Sequence, residues 1–170
     1  MTVSIELQGV EKHYQLGENT VRALRGADLT VQDGEFVAIM GPSGSGKSPL
    51  MNMIGALDTP TDGRVEIRDR DISSYSPAEL ADLRRQEVGF IFQKFNLIAT
   101  MTAKQNVMLP MIFQRIPRQE RHRKAEAILE QVGLGDRMDF HPNKLSGGEQ
   151  QRVSIARALA NDPTIILADE

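Results

Sequence analysis

The hydrophobic pattern of this chain changes twice along its length. Over residues 3–9 and 21–31 apolar and polar positions alternate, which predicts two half-buried strands because successive side chains of a strand face opposite sides. Short apolar runs then predict three buried strands, at residues 35–40, 88–92 and 163–170. Between the last two runs the pattern is mostly helical. The chain therefore begins with β structure and continues with buried strands that flank a helical segment.

Turn and capping signals divide this pattern into elements. Asp33-Gly34 predicts a turn before the first buried strand, and the turn residues of 58–63 precede a short predicted strand at 64–67. Residues 76–79 (Ser-Pro-Ala-Glu) predict a helix start, because serine caps a helix, proline suits its first turn and the acid completes a capping box. This helix is predicted to run through Arg85.

The stretch after the first buried strand carries the clearest chemistry. It fits the pattern G-x-x-x-x-G-K-[ST] with Gly41, Pro42, Ser43, Gly44, Ser45, Gly46, Lys47 and Ser48. Glycines let the backbone curl so that several N–H groups point inward, and a helix N-terminus adds partial positive charge. The pattern predicts a phosphate-binding loop, with Lys47 at the β- and γ-phosphates and the Ser48 hydroxyl on Mg²⁺. A flexible Gly/Ser loop without a ligand is the alternative.

Pro49 directly follows this motif and has two possible consequences. Proline has no N–H to donate to a phosphate oxygen, and it disfavours helical angles at Ser48. A lost hydrogen bond to a charged group costs roughly 1.5–3 kcal/mol, or about one to two decades of affinity. Alternatively, proline is tolerated in the first turn of a helix, where its N–H would have no intrahelical partner. We expect nucleotide binding to survive but to be weakened.

The last apolar run ends in two acids, Asp169 and Glu170. Carboxylates at the carboxyl end of a buried strand lie where α/β proteins bind ligands. Asp169 is therefore predicted to hold Mg²⁺ through its water shell, and Glu170 to orient and deprotonate an attacking water. Alone this signal is weak, but a phosphate-binding loop in the same chain strengthens it.

A second glycine-rich helix start lies about a hundred residues after the first. Ser146, Gly147 and Gly148 precede a helix whose apolar residues share one face, and they predict another exposed N-terminus that attracts anions. An ordinary capped helix is the alternative. Because one phosphate row is already held elsewhere, we expect this site to serve a nucleotide bound by another copy of the chain.

Composition narrows the class of protein. With 170 residues, a net charge of −3 and interspersed charges, the chain has room for one sizeable core and lacks the basic footprint of a nucleic-acid binder, so no nucleic-acid partner is predicted. It has no cysteine, which excludes disulfides and suits a reducing compartment. No apolar run approaches the length of a membrane span, so a membrane role would come through a partner.

The motifs in this order resemble the ATP-binding subunit of ABC transporters over essentially the whole chain. They are the phosphate loop, Gln93 after a buried strand, the segment 145–152 (LSGGEQQR) and the strand ending at Asp169-Glu170. Segments 54–63 and 89–97 resemble the bacterial branch that serves lipoprotein release, macrolide export and antimicrobial-peptide export. The resemblance implies an α/β fold: a P-loop NTPase core with a mostly parallel sheet, an antiparallel N-terminal β subdomain and a helical subdomain. Residues 1–92 and 158–170 would form the core with its β subdomain, and 93–157 the helical part.

The resemblance also implies roles for single residues. Tyr14 would stack on adenine, although an aromatic side chain there could equally serve packing. Gln93 would touch Mg²⁺ and the attacking water, and Lys47 and Glu170 would join it in catalysis. Magnesium would be held by Ser48, Gln93 and Asp169. Two copies of the chain would close head to tail on two ATP molecules, each also contacted by the other copy's Ser146, Gly147 and Gly148.

The implied partners are a second ATP-binding subunit and an integral-membrane permease. The permease would dock on the segment from Gln93 to about Val107, and the chain would lie at the cytoplasmic face of the inner membrane. Phe95, Leu97, Ile98 and Met101 suit such docking if they are exposed, and otherwise they belong to the core of the helical part.

The chain departs from the family pattern at its end. The family continues beyond the position of Glu170 with a histidine that contacts the γ-phosphate, whereas His13, His122 and His141 all precede it. We therefore expect this chain alone to hydrolyse ATP more slowly than an intact relative. The main alternative function is a catalytically impaired nucleotide-binding fragment. An ABC-fold ATPase acting on DNA or ribosomes is disfavoured, since neither heptads nor a basic linker between two cassettes is present.

Overall fold

The computed structural model describes residues 2–169, and the chain forms two compact units, Met1–Arg84 and Arg85–Glu170. A four-stranded antiparallel sheet dominates the first unit. Its strands, in the order β2-β1-β3-β4, are β1 (Val3–Leu16), β2 (Asn19–Gln32), β3 (Asp62–Ile67) and β4 (Arg70–Asp71). The predicted strands at 3–9, 21–31 and 64–67 are confirmed as parts of β1, β2 and β3.

Alternation determines which face of this sheet is buried. Leu7 of β1 lies opposite Leu29 of β2 on one side and Val65 of β3 on the other, and Leu7 and Val65 are almost completely buried. The predicted turn at Asp33-Gly34 is confirmed, since the Glu35 N–H donates to the Gln32 carbonyl at 3.1 Å.

Two helices belong to this part of the chain, α1 (Lys47–Ile54) and α2 (Pro77–Glu87). The start of α2 carries the predicted capping box. The Glu79 carboxylate accepts from the Ser76 N–H at 2.8 Å, and the Glu79 N–H donates to the Ser76 hydroxyl at 3.4 Å. These bonds satisfy donors that a helix start otherwise leaves free, which explains why α2 begins here.

The predicted buried strand at residues 35–40 is wrong for this structure. The segment is irregular, and Phe36 and Met40 are 95% and 88% exposed. An apolar run becomes a strand only where a neighbouring strand accepts and donates its backbone hydrogen bonds. Among the described residues, no strand pairs with this run. The hydrophobicity of this run predicted both burial and a strand, and neither is found here, because the partner needed for a ladder is not supplied by the local sequence.

The second unit contains a parallel pair of strands and three helices. Its elements are β5 (Val88–Ile91), α3 (Ala103–Phe113), α4 (Arg118–Gln131), α5 (Gly147–Leu159) and β6 (Ile165–Ala168), with short 3₁₀ turns at Gly135–Arg137 and Pro142–Lys144. The strands predicted at 88–92 and 163–170 are confirmed over the shorter ranges of β5 and β6. The parallel sheet of the described residues thus has two strands rather than the predicted three.

Burial in β6 differs from the prediction of a fully buried strand. Ile165 and Leu167 are buried, whereas Ile166 is 49% exposed. This alternation arises because only one face of the β5–β6 pair is covered by packing in this unit. At Gly89 of β5 an added Cβ would lie 2.5 Å from the Ala158 carbonyl oxygen, so glycine permits the close approach of α5.

The core of the second unit lies among its three helices. Ala125, Ile128 and Leu129 of α4 are buried and form one apolar stripe on this helix. They pack with buried residues of α3 and α5 and of the intervening turns: Ala103, Val107, Met108, Met111, Leu134, Leu145, Val153, Ala156 and Ala160. Across residues 2–169, none of the helices combines the length and the hydrophobicity needed to cross a bilayer.

Candidate nucleotide site and signature turn

The glycine-rich loop folds into a closed turn that its own lysine completes. The Lys47 ammonium donates to the carbonyl oxygens of Gly41 and Pro42 at 2.7 and 2.9 Å. The Ser45 N–H donates to the Pro42 carbonyl at 3.2 Å. Lys47 is also the first residue of α1, so the helix N-terminus opens directly onto the loop. The predicted loop residues are therefore brought together around one cationic group.

Two glycines of this loop have a backbone conformation that favours glycine. Gly46 has a φ of 94°, and an added Cβ would lie 2.8 Å from the Ala23 carbonyl oxygen. Gly44 has a φ of 80°. A positive φ is costly for any residue with a Cβ, so the loop depends on glycine for its shape as well as for space.

Pro49 does not prevent helix formation. Both Ser48 and Pro49 lie inside α1, and the first intrahelical bond runs from the Leu50 N–H to the Gly46 carbonyl at 2.9 Å. Proline therefore occupies a first-turn position, where its missing N–H breaks no intrahelical bond. Of the two consequences considered for Pro49, the unfavourable angle at Ser48 does not arise, and the loss of one donor remains.

Tyr14 is a half-buried residue of β1 with polar neighbours. Its hydroxyl donates to Asp58 Oδ2 at 3.3 Å, and the Lys12 ammonium lies 5.3 Å from its ring centre while contacting Asp58 Oδ1 at 2.7 Å. Burial, and then the Asp58 carboxylate, raise the pKa of the Tyr14 phenol. The Lys12–Tyr14–Asp58 group was not predicted from the sequence. Stacking of Tyr14 on adenine stays a prediction.

In the second unit, two predicted metal and catalytic residues lie at one edge of the parallel strands. Gln93 follows β5 by two residues and Asp169 follows β6 directly. The Asp169 N–H donates to the Ile91 carbonyl at 3.0 Å, which continues the pairing of the two strands to this edge. Both residues are exposed. Glu170, the predicted base, lies outside the described residues.

The segment after Gln93 has an unusual backbone. Phe95 and Asn96 have φ values of 56° and 48°, in the left-handed region that residues other than glycine rarely occupy. The Arg157 guanidinium of α5 donates to the carbonyl oxygens of both residues, at 2.8 and 2.6 Å. Burial lowers the pKa of Arg157 from its ordinary value. The sequence alone did not identify Arg157, although an arginine among the small and apolar residues 153–159 of α5 was a usable signal.

A second buried polar group holds the other end of this segment. Asn106 of α3 is fully buried; its side-chain oxygen accepts from the Ile98 N–H at 2.8 Å, and its amide donates to the Ile98, Met101 and Thr102 carbonyls at 3.0–3.2 Å. Ile98 is 37% exposed, whereas Phe95, Leu97 and Met101 are half-buried, and Leu97 packs on the helical core. The four residues predicted for docking therefore divide between surface and core.

The signature turn at the start of α5 is stabilised by a capping box. The Ser146 hydroxyl accepts from the Glu149 N–H at 3.3 Å, and the Glu149 carboxylate accepts from the Ser146 N–H at 2.7 Å. These bonds, with a smaller contribution from Arg137 at 3.4 Å, lower the pKa of Glu149. Gly147 and Gly148 are exposed, and a Cβ added at either meets nothing within 4 Å. The turn is thus preformed and open to an approaching molecule.

The fold is that of solved ATP-binding cassettes. The dimeric post-hydrolysis state of the ATP-binding cassette MJ0796, bound to ADP and Pi, superposes with a TM-score of 0.89 and 48% sequence identity, covering 98% of this chain and 73% of that one. A second dimeric structure of MJ0796, described as a bacterial ABC transporter cassette, gives a TM-score of 0.88. The class of protein is therefore an α/β ATP-binding cassette with an antiparallel N-terminal sheet and a helical part.

Sequence comparison gives the family. Residues 24–170 match the family model described as ABC transporter. This chain belongs to the ABC transporter family and is an ATP-binding domain of that family.

The relatives differ in how much of their length the chain covers. It is 54% identical to YknY of Bacillus subtilis, described as an uncharacterized ABC transporter ATP-binding protein, over 98% of this chain and 72% of that protein. It is 52% identical to the macrolide export ATP-binding/permease protein MacB of Hyphomonas neptunium, over 98% of this chain and 26% of that protein. The chain thus corresponds to the ATP-binding domain of exporters such as MacB and spans about a quarter of their length.

Proposed function

We propose that this chain binds ATP with Mg²⁺ at the loop Gly41–Ser48 and, as one of two cassettes, hydrolyses it to energise export through a membrane permease. The observation that supports this most strongly is the uncapped start of α1. It has no side-chain cap and no acid in its first turn, and Lys47 stands beside it. Free N–H groups, a helix dipole and an ammonium group together attract a chain of phosphates.

Lys47 would change partners when the nucleotide binds. Its present acceptors, the Gly41 and Pro42 carbonyls, are neutral, whereas phosphate oxygens carry charge and form stronger hydrogen bonds. Hydrogen bonds to the β- and γ-phosphates would therefore be stronger than those to the loop carbonyls, so we expect the ammonium to exchange the one for the other. The same move would widen the loop and give its backbone N–H groups access to the ligand.

The oxygen ligands proposed for magnesium fit that ion. Ser48 offers a hydroxyl, Gln93 an amide oxygen and Asp169 a carboxylate, and all three residues are exposed. Mg²⁺ prefers such oxygen ligands and retains several waters. When bound it would neutralise charge on the β- and γ-phosphates. Gln93 would orient the attacking water and Glu170 would accept its proton.

A calorimetric titration with Mg-ATP tests the binding step. We expect saturable binding, and Lys47→Ala should weaken it by about 10- to 100-fold, the value of a hydrogen bond to a charged group. Lys124→Ala removes a lysine that pairs with Asp162 in the second unit and should leave affinity unchanged. Absence of binding by folded wild-type protein would refute the proposal, and binding without phosphate release would favour the catalytically impaired alternative.

The proposed second cassette would complete the site through the signature turn. Ser146, Gly147 and Gly148 lie exposed at the start of α5, so that a nucleotide held by another copy can reach the Ser146 hydroxyl and the N–H groups of the two glycines. The MJ0796 cassette is dimeric in both matched structures. We propose the same arrangement here, with a permease as a further partner and with the chain held at the cytoplasmic face of the membrane by that permease.

Sedimentation velocity with and without Mg-ATP tests the second copy. We expect dimers only with nucleotide, and Gly147→Arg should abolish them without unfolding the chain, because a side chain there meets nothing within 4 Å in its own chain. Nucleotide affinity at the Lys47 loop should persist in this variant. Dimers that persist in Gly147→Arg would exclude the signature turn from the interface.

A division of the chain into a core (residues 1–92 and 158–170) and a helical part (93–157) remains our proposal for its domain organisation. It is supported by the helical core that α3, α4 and α5 share. The proposed roles of the two parts differ: the core would hold the nucleotide, and the helical part would present the signature turn.

A further inference from the structure

The backbone after Gln93 is held by side chains from two different helices. Arg157 of α5 donates to the carbonyls of Phe95 and Asn96, and Asn106 of α3 bonds the backbone of Ile98. The two supports differ in kind. Asn106 forms four bonds near the start of its own helix, whereas Arg157 reaches a segment more than sixty residues away in sequence.

Arg157 contacts the part of this segment whose backbone angles are the least favourable. Phe95 and Asn96 both have positive φ values, and Phe95 has no local side-chain bond to favour that conformation. Consecutive left-handed residues point their carbonyls to one side, and the planar guanidinium contacts both at once. Removing it would leave this backbone free to return to ordinary angles.

Gln93 lies two residues before Phe95. Between them the Phe95 N–H donates to the Phe92 carbonyl at 3.0 Å, so the turn encloses Gln93 and links its backbone to the segment that Arg157 holds. Within the part of the chain that the structure describes, no further hydrogen bond holds Gln93 in place. A change at Phe95 and Asn96 therefore shifts the residue on which catalysis is proposed to depend.

We propose that Arg157 is a positioning residue that fixes Gln93 by holding Phe95 and Asn96 in their left-handed conformation. Because Arg157 belongs to α5, whose first residues form the signature turn, it also links that turn to the segment containing Gln93 within one chain. The catalytic part of this inference rests on the proposed ATPase function. The structural part, that Arg157 holds the backbone, does not.

Hydrogen–deuterium exchange tests the structural part without any nucleotide. In Arg157→Met we expect the amides of Phe95 and Asn96 to exchange at least about tenfold faster, since their local opening loses its main opposing contact. The Ile98 amide, held by Asn106, should change much less. Arg157→Lys, which keeps the charge and one donor, should lie between the two. Arg123→Met, at an exposed arginine of α4, is the matched control and should leave all three amides unchanged.

Two results would overturn the inference at this stage. One is that, in Arg157→Met or in Arg157→Lys, the amides of residues 95 and 96 exchange at the same rate as in the wild type. The other is a uniform increase across α3, α4 and α5, which would show that Arg157 supports the whole unit. If Arg157→Met does not fold, the lysine variant alone decides, because a partial and local increase is still required.

A double-mutant cycle tests the catalytic part. Arg157→Met should lower kcat for ATP by about tenfold with little change in KM, because misplacing a catalytic group affects the reaction more than binding at a separate loop. In a Gln93→Ala background the same substitution should have almost no further effect on kcat, because the side chain that Arg157 is proposed to position is already absent. Equal losses in both backgrounds would refute positioning through Gln93. If the wild type neither binds nor hydrolyses ATP, the proposed function fails, while the exchange experiment still decides the structural part.

Discussion

The two glycine-rich helix starts of this chain look alike in sequence and differ in how they are stabilised. At α5 the side chains of Ser146 and Glu149 form a reciprocal capping box. At α1 there is no side-chain cap and no acid in the first turn, and Lys47 closes the loop by contacting two carbonyls. The turn at α5 forms its capping bonds without a ligand. The loop at α1 leaves its N–H donors uncapped, and the contacts of Lys47 are with neutral carbonyls that a ligand can replace.

This difference fits the two roles that we propose for these similar sequences. A loop that must bind phosphates cannot use its N–H groups for internal caps, because the ligand needs them. A turn that approaches a nucleotide from a second molecule benefits from being rigid beforehand, since ordering it on contact would cost affinity. The comparison can be tested by changing equivalent residues at the two sites.

The largest expected effect contrasts Gly46→Ala with Gly147→Ala. At Gly46 the positive φ alone costs about 1–2 kcal/mol for a residue with a Cβ, and the contact with the Ala23 carbonyl adds to it. At Gly147 alanine should be neutral or stabilise by about 0.5 kcal/mol, because it favours the helix and meets no neighbour. Urea unfolding measures both. Equal destabilisation by the two substitutions would show that the two helix starts do not differ in their need for glycine.

Loss of the cap at α5 is expected to have an intermediate effect. Ser146→Ala should lower the free energy of unfolding by about 1 kcal/mol, the usual value of an N-cap. Ser48→Ala, the serine near the start of α1, caps nothing in the structure and should leave stability within about 0.5 kcal/mol of wild type. Urea unfolding at pH 7 compares them. If Ser48→Ala lowered the free energy of unfolding more than Ser146→Ala did, the cap would belong to α1 and not to α5.

The capping box should also produce a pH dependence. Hydrogen bonds from the Ser146 N–H and hydroxyl hold the pKa of Glu149 below its ordinary value. A depressed folded-state pKa stabilises the fold above the unfolded pKa of about 4.3, and this stabilisation is lost as pH falls through the folded value. Glu149→Gln retains an acceptor but does not titrate, so its unfolding free energy should decline less than that of wild type between pH 5 and 3. Parallel declines would show that Glu149 does not contribute.

The last effect, at Pro49, concerns affinity rather than stability. Threonine would restore one donor to a charged phosphate, worth about 1.5 kcal/mol of binding free energy. Pro49→Thr should therefore raise Mg-ATP affinity about tenfold, measured by the same titration as for Lys47. The control is Pro110→Ala, a proline of α3 in the second unit, which should leave affinity unchanged. A gain of a hundredfold or more would mean that Pro49 distorts Ser48 in solution.

Local sequence signals predicted most elements correctly, and for identifiable reasons. The capping boxes at Ser76 and Ser146 depend on residues three positions apart, and the β1–β2 hairpin depends on alternation. The strand predicted at 35–40 failed because a ladder requires a distant partner. Arg157 and Asn106 were missed because their acceptors lie on a segment whose path only the folded chain defines.

The sequence by itself determined the order of most strands and helices, the glycine-rich loop with its lysine, and the family, because these depend on residue types at short, fixed spacing. Only the tertiary structure decided which apolar runs are buried, how Lys47 closes its loop, and which side chains support the backbone after Gln93. Burial and the Arg157 contacts depend on groups that are far apart in the chain. The Lys47 and Asn106 contacts are local in sequence, but they depend on a loop path that residue types alone do not define. Their distances and hydrogen bonds exist only once packing has brought the groups together.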